Sequence, residues 1–101
     1  MNNKIRKELR LLLENELFFY NANVKKYNYY NDSSNFDVNL AEKYLGSRVV
    51  AEKLCEKYSH SCCCLVRMLN LADSRFDYSL KYKTLDFYSE CYLFISEKVE
   101  G

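Results

Sequence analysis

The stretch KIRKELRLLLENELFFYNANVKKY, residues 4–27, decides the fold that this sequence predicts. Its apolar side chains return at intervals of three and four residues, which is the pattern of one face of an α-helix. That stripe contains Ile5, Leu9, Leu13, Leu17, Tyr20, Val24 and Tyr27. A second set, Leu11, Leu12, Phe18 and Phe19, makes the apolar face wider than one neighbouring element would cover. We therefore expect a long amphipathic helix that lies at the centre of the fold or forms half of an interface.

The composition favours few, long elements. The chain has 101 residues, no proline, two glycines and ten tyrosines. Because proline and glycine supply most tight turns, a chain with so few of them is poorly suited to a fold with many hairpins. Its length is that of one domain. The sequence thus predicts a single helical domain over residues 1–101.

The rest of the chain also shows mainly helical spacing. YYNDSSN, residues 29–35, contains turn-forming residues and ends the first helix. Apolar residues at helical spacing then run to Gly46, continue from Val50 to Ala72 with a break expected near residues 59–61, and return over residues 79–97. The predicted fold class is all-α, with four to five helices and a long amphipathic N-terminal helix.

Two stretches conflict with an all-helical fold. RFDYSLKYK, residues 75–83, and NFDVNL, residues 35–40, both alternate apolar and polar residues, as strands do. They also resemble each other at a constant offset of 40 residues. Three interpretations are open: two helix starts with a Ser-x-x-Asp capping pattern, a short β-ribbon formed by 36–40 and 75–83, or a duplicated helical hairpin. We favour the shared helix start.

The run SHSCCCLVRM, residues 59–68, raises the question of a metal or redox site. Four nitrogen and sulfur ligands could come from Cys55, His60, Cys62 and Cys91, but no Cys-x-x-Cys pair is present. Consecutive helical residues point about 100° apart, so the three adjacent cysteines cannot all face one ion. Because free cysteine packs like a small hydrophobic residue, we interpret the run as core and expect no metal and no cofactor.

The charges and the N-terminus bear on partners and compartment. Fifteen Lys and Arg residues nearly balance fourteen Asp and Glu residues, so no general attraction to nucleic acid or anionic lipid is expected. Two glutamates interrupt the first apolar run, which argues against a signal peptide. No stretch reaches the roughly 20 apolar residues of a membrane span. With five cysteines, an odd number, we expect free thiols and a cytoplasmic location.

No group of residues has the pattern of a catalytic site, so we expect a protein that is not an enzyme. The sequence pattern offers no nucleophile with a positioned base and no glycine-rich phosphate loop. The wide apolar face instead predicts protein–protein association, with a homodimer as one form of it. The candidate protein-binding residues are Leu11, Leu12, Phe18, Phe19, Tyr27 and Tyr30. The small size and the composition are also typical of a phage or viral regulator or inhibitor.

The alternative is a DNA-binding regulator. LAEKYLGSRVVAEKLCEKY, residues 40–58, resembles the helix-turn-helix of bacterial DNA-binding proteins, with a turn at Gly46, and residues 76–83 would then form the wing of a winged helix. The resemblance implies that DNA is contacted by Ser47, Arg48, Lys53 and Lys57. We prefer protein binding because two glutamates lie on the same predicted helix and the chain is nearly neutral.

Overall fold

Two long helices and two strands make up most of the described chain, residues 3–84 and 88–99 of this computed structural model. Helix α1 spans Asn3–Asn31 and helix α2 spans Ala41–Ala72. Two short 3-10 helices, Ser33–Asn35 and Val38–Leu40, connect them. Strands β1, Phe76–Tyr82, and β2, Cys91–Glu97, form a two-stranded antiparallel sheet. The helices thus make an antiparallel hairpin, and the sheet follows it in sequence.

The expected all-α fold with four to five helices is wrong. Residues 41–72 form one continuous helix, because an isolated glycine such as Gly46 costs a helix only about 1 kcal/mol. The break expected near residues 59–61 is also absent, since serine and histidine lower helix stability only slightly. The last segment is not helical: residues 76–82 and 91–97 are strands. The strict alternation in RFDYSLKYK was therefore the better indicator for that part of the chain.

The two similar stretches adopt different structures. Strand β1 pairs with β2, with Tyr78 opposite Ile95 and Leu80 opposite Leu93, so the ribbon of 36–40 with 75–83, one of the three open interpretations, is wrong. A strand pairs more readily with a nearby segment, because the loop to be closed is shorter. Residues 38–40 instead form a 3-10 turn that leads into α2. The helix start that we favoured for both stretches is wrong for residues 76–82. Residues 85–87, which the helical spacing over 79–97 includes, lie outside the described chain.

The core lies between the helical hairpin and one face of the sheet. Apolar side chains at helical spacing on α1 and α2 meet alternate residues of the strands. The buried members are Leu13, Leu17, Tyr20 and Val24 from α1, Cys55, Cys62 and Leu69 from α2, and Tyr78, Tyr88 and Cys91 from the strands and the segment before β2. The Tyr20 hydroxyl also donates a hydrogen bond to the Ser89 carbonyl at 3.1 Å. Helices and sheet therefore share one core.

Two asparagines fasten the sheet to the helices. The Asn21 side chain of α1 donates to the Cys91 carbonyl at 2.7 Å and accepts from the Cys91 amide at 2.8 Å. The Asn70 side chain of α2 makes the same pair of bonds with Tyr78, at 2.8 Å and 2.7 Å. Each side-chain amide thus pairs with the outer edge of a strand as a neighbouring strand would. The sheet is thereby held on one side of the hairpin.

A buried carboxylate joins the elements at the end of the hairpin. Asp73, directly after α2, accepts hydrogen bonds from the Tyr78 hydroxyl at 2.6 Å and the Arg75 amide at 2.9 Å. The Arg6 guanidinium of α1 lies 3.7 Å from the same carboxylate. The Tyr78 hydrogen bond is the main cause that lowers the pKa of Asp73. The ends of α1, α2 and β1 therefore meet at one ionised group.

Candidate functional site

The side of the hairpin opposite the sheet carries an apolar surface. On α1, Tyr20 and Asn21 bond to the segment that contains β2, whereas Phe19 stacks on Tyr58 of α2 with the ring centroids 5.6 Å apart. Residues seven positions apart lie on nearly the same side of a helix. Leu12 and Ile5 therefore share the side of Phe19, and all three are exposed.

Helix α2 continues this surface. Val50 and Met68 are five helical turns apart, so they lie on the same side of α2, and both are exposed. Leu54 is half-buried and follows Val50 by one turn. The side of α2 toward the sheet is marked by Asn70, which bonds to β1. We define the open face as Ile5, Leu12, Phe19, Val50, Leu54 and Met68.

The open face contains a groove near the connection between the helices. Its volume is about 500 Å³. The lining residues are Asn23, Lys26 and Tyr30 of α1 and Lys43, Gly46, Ser47, Val50, Ala51 and Leu54 of α2. Apart from the chain neighbours of Gly46 and the backbone of its own helix, no described atom lies within 4 Å of the position that a Cβ on Gly46 would occupy. The groove therefore has room for a side chain from outside.

The chain exposes more surface than a compact protein of its size. Its accessible surface is 7377 Å², whereas about 6,000 Å² is expected for a compact monomer of 12.1 kDa. Its radius of gyration is 16.9 Å, against about 13 Å for a compact chain of this length. The extents are 58 × 24 × 13 Å, a thickness that one helical layer and one sheet account for. Within the described chain, no third layer covers the open face.

The predicted protein-binding residues fall into two groups. Leu12 and Phe19 belong to the open face, and Leu11 and Phe18 lie beside it, 65% and 69% exposed. Tyr30 is half-buried and lines the groove. Tyr27 packs against Tyr88, with ring centroids 4.8 Å apart, next to the sheet. The structure thus brings five of the six residues to one side of the hairpin or its edge and leaves Tyr27 on the other.

The sequence reasoning missed the α2 half of the open face. The predicted protein-binding residues include none from α2, although the exposed Val50 and Met68 lie within the helical spacing that runs from Val50 to Ala72. A helix stripe shows which residues share a side, but the neighbouring elements decide which side is covered. The width of the apolar stripe on α2 was the available signal for this half of the face. Like the stripe on α1, it is wider than one neighbouring element would cover.

Three of the five cysteines lie in the core. Burial raises the pKa of the Cys55 and Cys91 thiols to about 11 and that of the Cys62 thiol to about 12. All three thiols are therefore protonated at neutral pH, which makes them poor nucleophiles and poor metal ligands. Their role in this structure is packing, as expected for Cys62 from its position on the α2 stripe.

The other two cysteines are outside the core. Cys63 is exposed, and Cys64 Sγ lies 3.6 Å from His60 Nε2 one helical turn away. The interpretation of the whole cysteine run as core is therefore wrong at Cys63, because consecutive helical residues point in different directions. Within residues 3–84 and 88–99, no three side chains of metal-binding type gather at one point.

The candidate DNA-binding residues do not form a helix-turn-helix. Gly46 and Ser47, the expected turn, lie inside α2, so no second helix is set at an angle to enter a DNA groove. Ser47 lines the groove on the open face. Arg48 is half-buried, whereas Lys53 and Lys57 are exposed. The helix-turn-helix geometry expected for residues 40–58 is wrong, for the same reason that the helix count is wrong.

A second cavity lies where the sheet meets the C-terminal part of α1. Its volume is about 580 Å³, and Tyr27, Lys83 and Tyr88 are among its lining residues. Glu90, also in the lining, forms ion pairs at 3.8 Å with Lys25 and with Lys83. Residues 85–87 are next to it in sequence and lie outside the described chain. We assign no site to this cavity.

Comparison of the chain with protein families, curated proteins and solved structures gives no match. Neither of the two described helices combines the length and hydropathy needed to cross a membrane. The geometry of the open face is therefore the observation from which a function can be argued.

Proposed function

We propose that this chain is a small, non-enzymatic binding protein that acts through protein–protein association, and that the open face is its binding surface. The observation that carries the proposal is an apolar helical surface lying opposite the side that the sheet covers. Several exposed apolar side chains on one face of a helical hairpin favour association, because exposing them to water is unfavourable. Burial of this surface by a partner would remove it from water and so lower the free energy.

The partner surface is expected to be helical and apolar. The open face consists of two antiparallel helices, and helix pairs pack by placing side chains of one into the gaps of the other. The groove at Gly46 supplies such a gap, and Phe18 and Phe19 supply large aromatic side chains of the kind enriched at interfaces. An amphipathic helix or helical hairpin is the partner that fits this arrangement.

A cytoplasmic regulator is the role that we propose for such a protein. All five cysteines are free, including the exposed Cys63, which suits a reducing compartment. Association without chemistry is the usual mode of action of small regulators and inhibitors, which act by occupying a surface of their target.

Photo-crosslinking tests the proposal. A benzoylphenylalanine at Leu12, on the open face, is expected to give covalent protein adducts in the source cells, with another protein or with a second copy. Phe19→Glu, on the same face, should abolish them. The matched control carries the crosslinker at Phe94, which is 47% exposed on the outer side of the sheet, and should give none. The proposal fails if Leu12 gives no adduct, or if Phe19→Glu leaves the adducts unchanged.

A duplex-DNA titration separates this function from the DNA-binding alternative. Binding that weakens steeply with salt, and that survives Phe19→Glu, would favour DNA, because phosphate contacts release counterions. If the chain does not bind DNA even at low salt, the result favours association with protein.

A further inference from the structure

We propose that the open face is covered by a second copy of this chain, which packs hairpin against hairpin with the helices of the two copies antiparallel. This inference deepens the proposed function, since it names the partner. The two copies are related by a two-fold axis that lies in the interface, perpendicular to the helices, and passes by the Phe19–Tyr58 stack.

The area of the open face matches that of a stable dimer. Helix α1 has 29 residues and is therefore about 43 Å long. Two packed helices about 10 Å apart present a face about 20 Å wide. Each copy would thus bury about 850 Å², and the pair about 1,700 Å², which is the size of a typical specific interface. The accessible surface of the chain is larger than that of a compact monomer of the same mass. Burying about 850 Å² per copy would remove more than half of this excess.

The two ends of the open face are complementary to each other. Helix α1 runs toward the connection and α2 runs back, so Ile5 and Met68 lie at one end and the Gly46 groove lies at the other. Ile5 is exposed and projects an apolar side chain, whereas the groove is empty above Gly46 among the described atoms. One end supplies the side chain that the other end can hold.

The distances from the centre agree with an antiparallel arrangement. Ile5 is fourteen residues from Phe19, which is about 21 Å along α1. Gly46 is twelve residues from Tyr58, which is about 18 Å along α2 in the opposite direction. Rotation about an axis beside the stack therefore places Ile5 of one copy near the Gly46 groove of the other. A parallel arrangement would place the two grooves opposite each other and leave both unfilled.

The first test is the mass in solution. Sedimentation equilibrium of the full chain should give twice the mass of 12.1 kDa. Leu12→Glu should raise the dimer dissociation constant by about 30-fold or more, as expected for a residue near the centre of an interface. Phe94→Glu, an equally drastic change on the sheet, should leave the dimer intact. Far-UV circular dichroism checks that each variant is folded. A monomer at all concentrations, or equal effects of the two variants, overturns the proposal.

The second test is the orientation of the copies. In chains that also carry Cys63→Ser and Cys64→Ser, an equimolar mixture of Ile5→Cys and Gly46→Cys chains should form an intermolecular disulfide under mild oxidation. Either chain alone should form little. The control mixture pairs Ile5→Cys with Asp77→Cys, on the outer side of the sheet, and should not crosslink. Efficient self-crosslinking of Gly46→Cys would overturn the antiparallel arrangement.

The outcomes also separate this inference from the proposed function. If the protein is monomeric while the Leu12 crosslinker still captures a different protein in a Phe19-dependent manner, the second copy is wrong and the binding function stands. If neither self-association nor capture occurs, both proposals fail.

Discussion

Replacement of Asn70 tests whether the asparagine amides hold the sheet on the hairpin. In Asn70→Ala, the amide and carbonyl of Tyr78 lose the two hydrogen bonds that the Asn70 side chain supplies. Tyr78 is only 4% exposed, so water reaches its backbone poorly. A buried polar group left without a partner costs about 1–3 kcal/mol. We expect the free energy of unfolding to fall by about 2–6 kcal/mol for the two groups, a large part of the roughly 5–15 kcal/mol typical of such a domain.

Asn70→Asp separates the shape of the side chain from its ability to donate. The carboxylate still accepts from the Tyr78 amide, but it has no proton for the Tyr78 carbonyl. The folded state therefore favours the protonated form and raises the pKa of the introduced carboxyl above its unfolded value of about 3.9. The stability gained from protonation is fully present below the unfolded pKa and is lost as the pH rises through the folded pKa. The deficit relative to wild type should be smaller at low pH than at pH 7.

Urea unfolding followed by far-UV circular dichroism measures both effects. Asn28→Ala, at an exposed position of α1, corrects for the higher helix propensity of alanine. This role of Asn70 is refuted if Asn70→Ala lowers the free energy of unfolding by less than about 0.5 kcal/mol after this correction. It is also refuted if the loss of stability in Asn70→Asp is the same at low pH as at pH 7.

Three further predictions concern the core, the buried carboxylate and the thiols. Leu69→Ala should lower the free energy of unfolding in urea by about 2–5 kcal/mol, because Leu69 is fully buried. Leu71→Ala, at an 85% exposed position two residues later, should lower it by less than about 0.5 kcal/mol. Similar losses for the two variants would contradict the burial described. Because folding lowers the pKa of Asp73 below 3.8, its contribution is present above that value and is lost as the pH falls through the folded pKa. The stability difference between wild type and Asp73→Asn should therefore shrink as the pH is lowered from 6 toward 2. A difference that stays constant over this range would contradict the lowered pKa of Asp73. When the thiols of the native protein are titrated with an aromatic disulfide, Cys63→Ser should remove a fast phase of the reaction. Cys62→Ser should leave that phase intact, since the pKa of Cys62 is raised to about 12. Persistence of the fast phase in Cys63→Ser would show that another thiol is the accessible one.

Local patterns explain which parts of the fold were predictable. The stripe over residues 4–27 gave α1 correctly, because its spacing and length leave no alternative to a helix. Helix α2 replaces two or three predicted helices, because Gly46 and residues 59–61 interrupt the sequence pattern without breaking the helix. The strands were suspected from the alternation in residues 75–83, but the same segment also shows three- and four-residue spacing. The pairing partner, 91–97, could not be identified, because pairing depends on where the hairpin places the two segments.

The amino-acid sequence by itself determined that this protein has a long first helix with an apolar face too wide for one neighbour, because the periodicity and width of a stripe are local properties. Only the tertiary structure decided which part of that face is covered. The sheet packs on one side of the hairpin, where Asn21 and Asn70 bind its two edges, and this buries Leu13 and Leu17. Leu12 and Phe19, which belong to the same stretch of sequence, remain exposed on the opposite side. Burial depends on the position of distant elements, and so the extent of the open face became visible only in the folded chain.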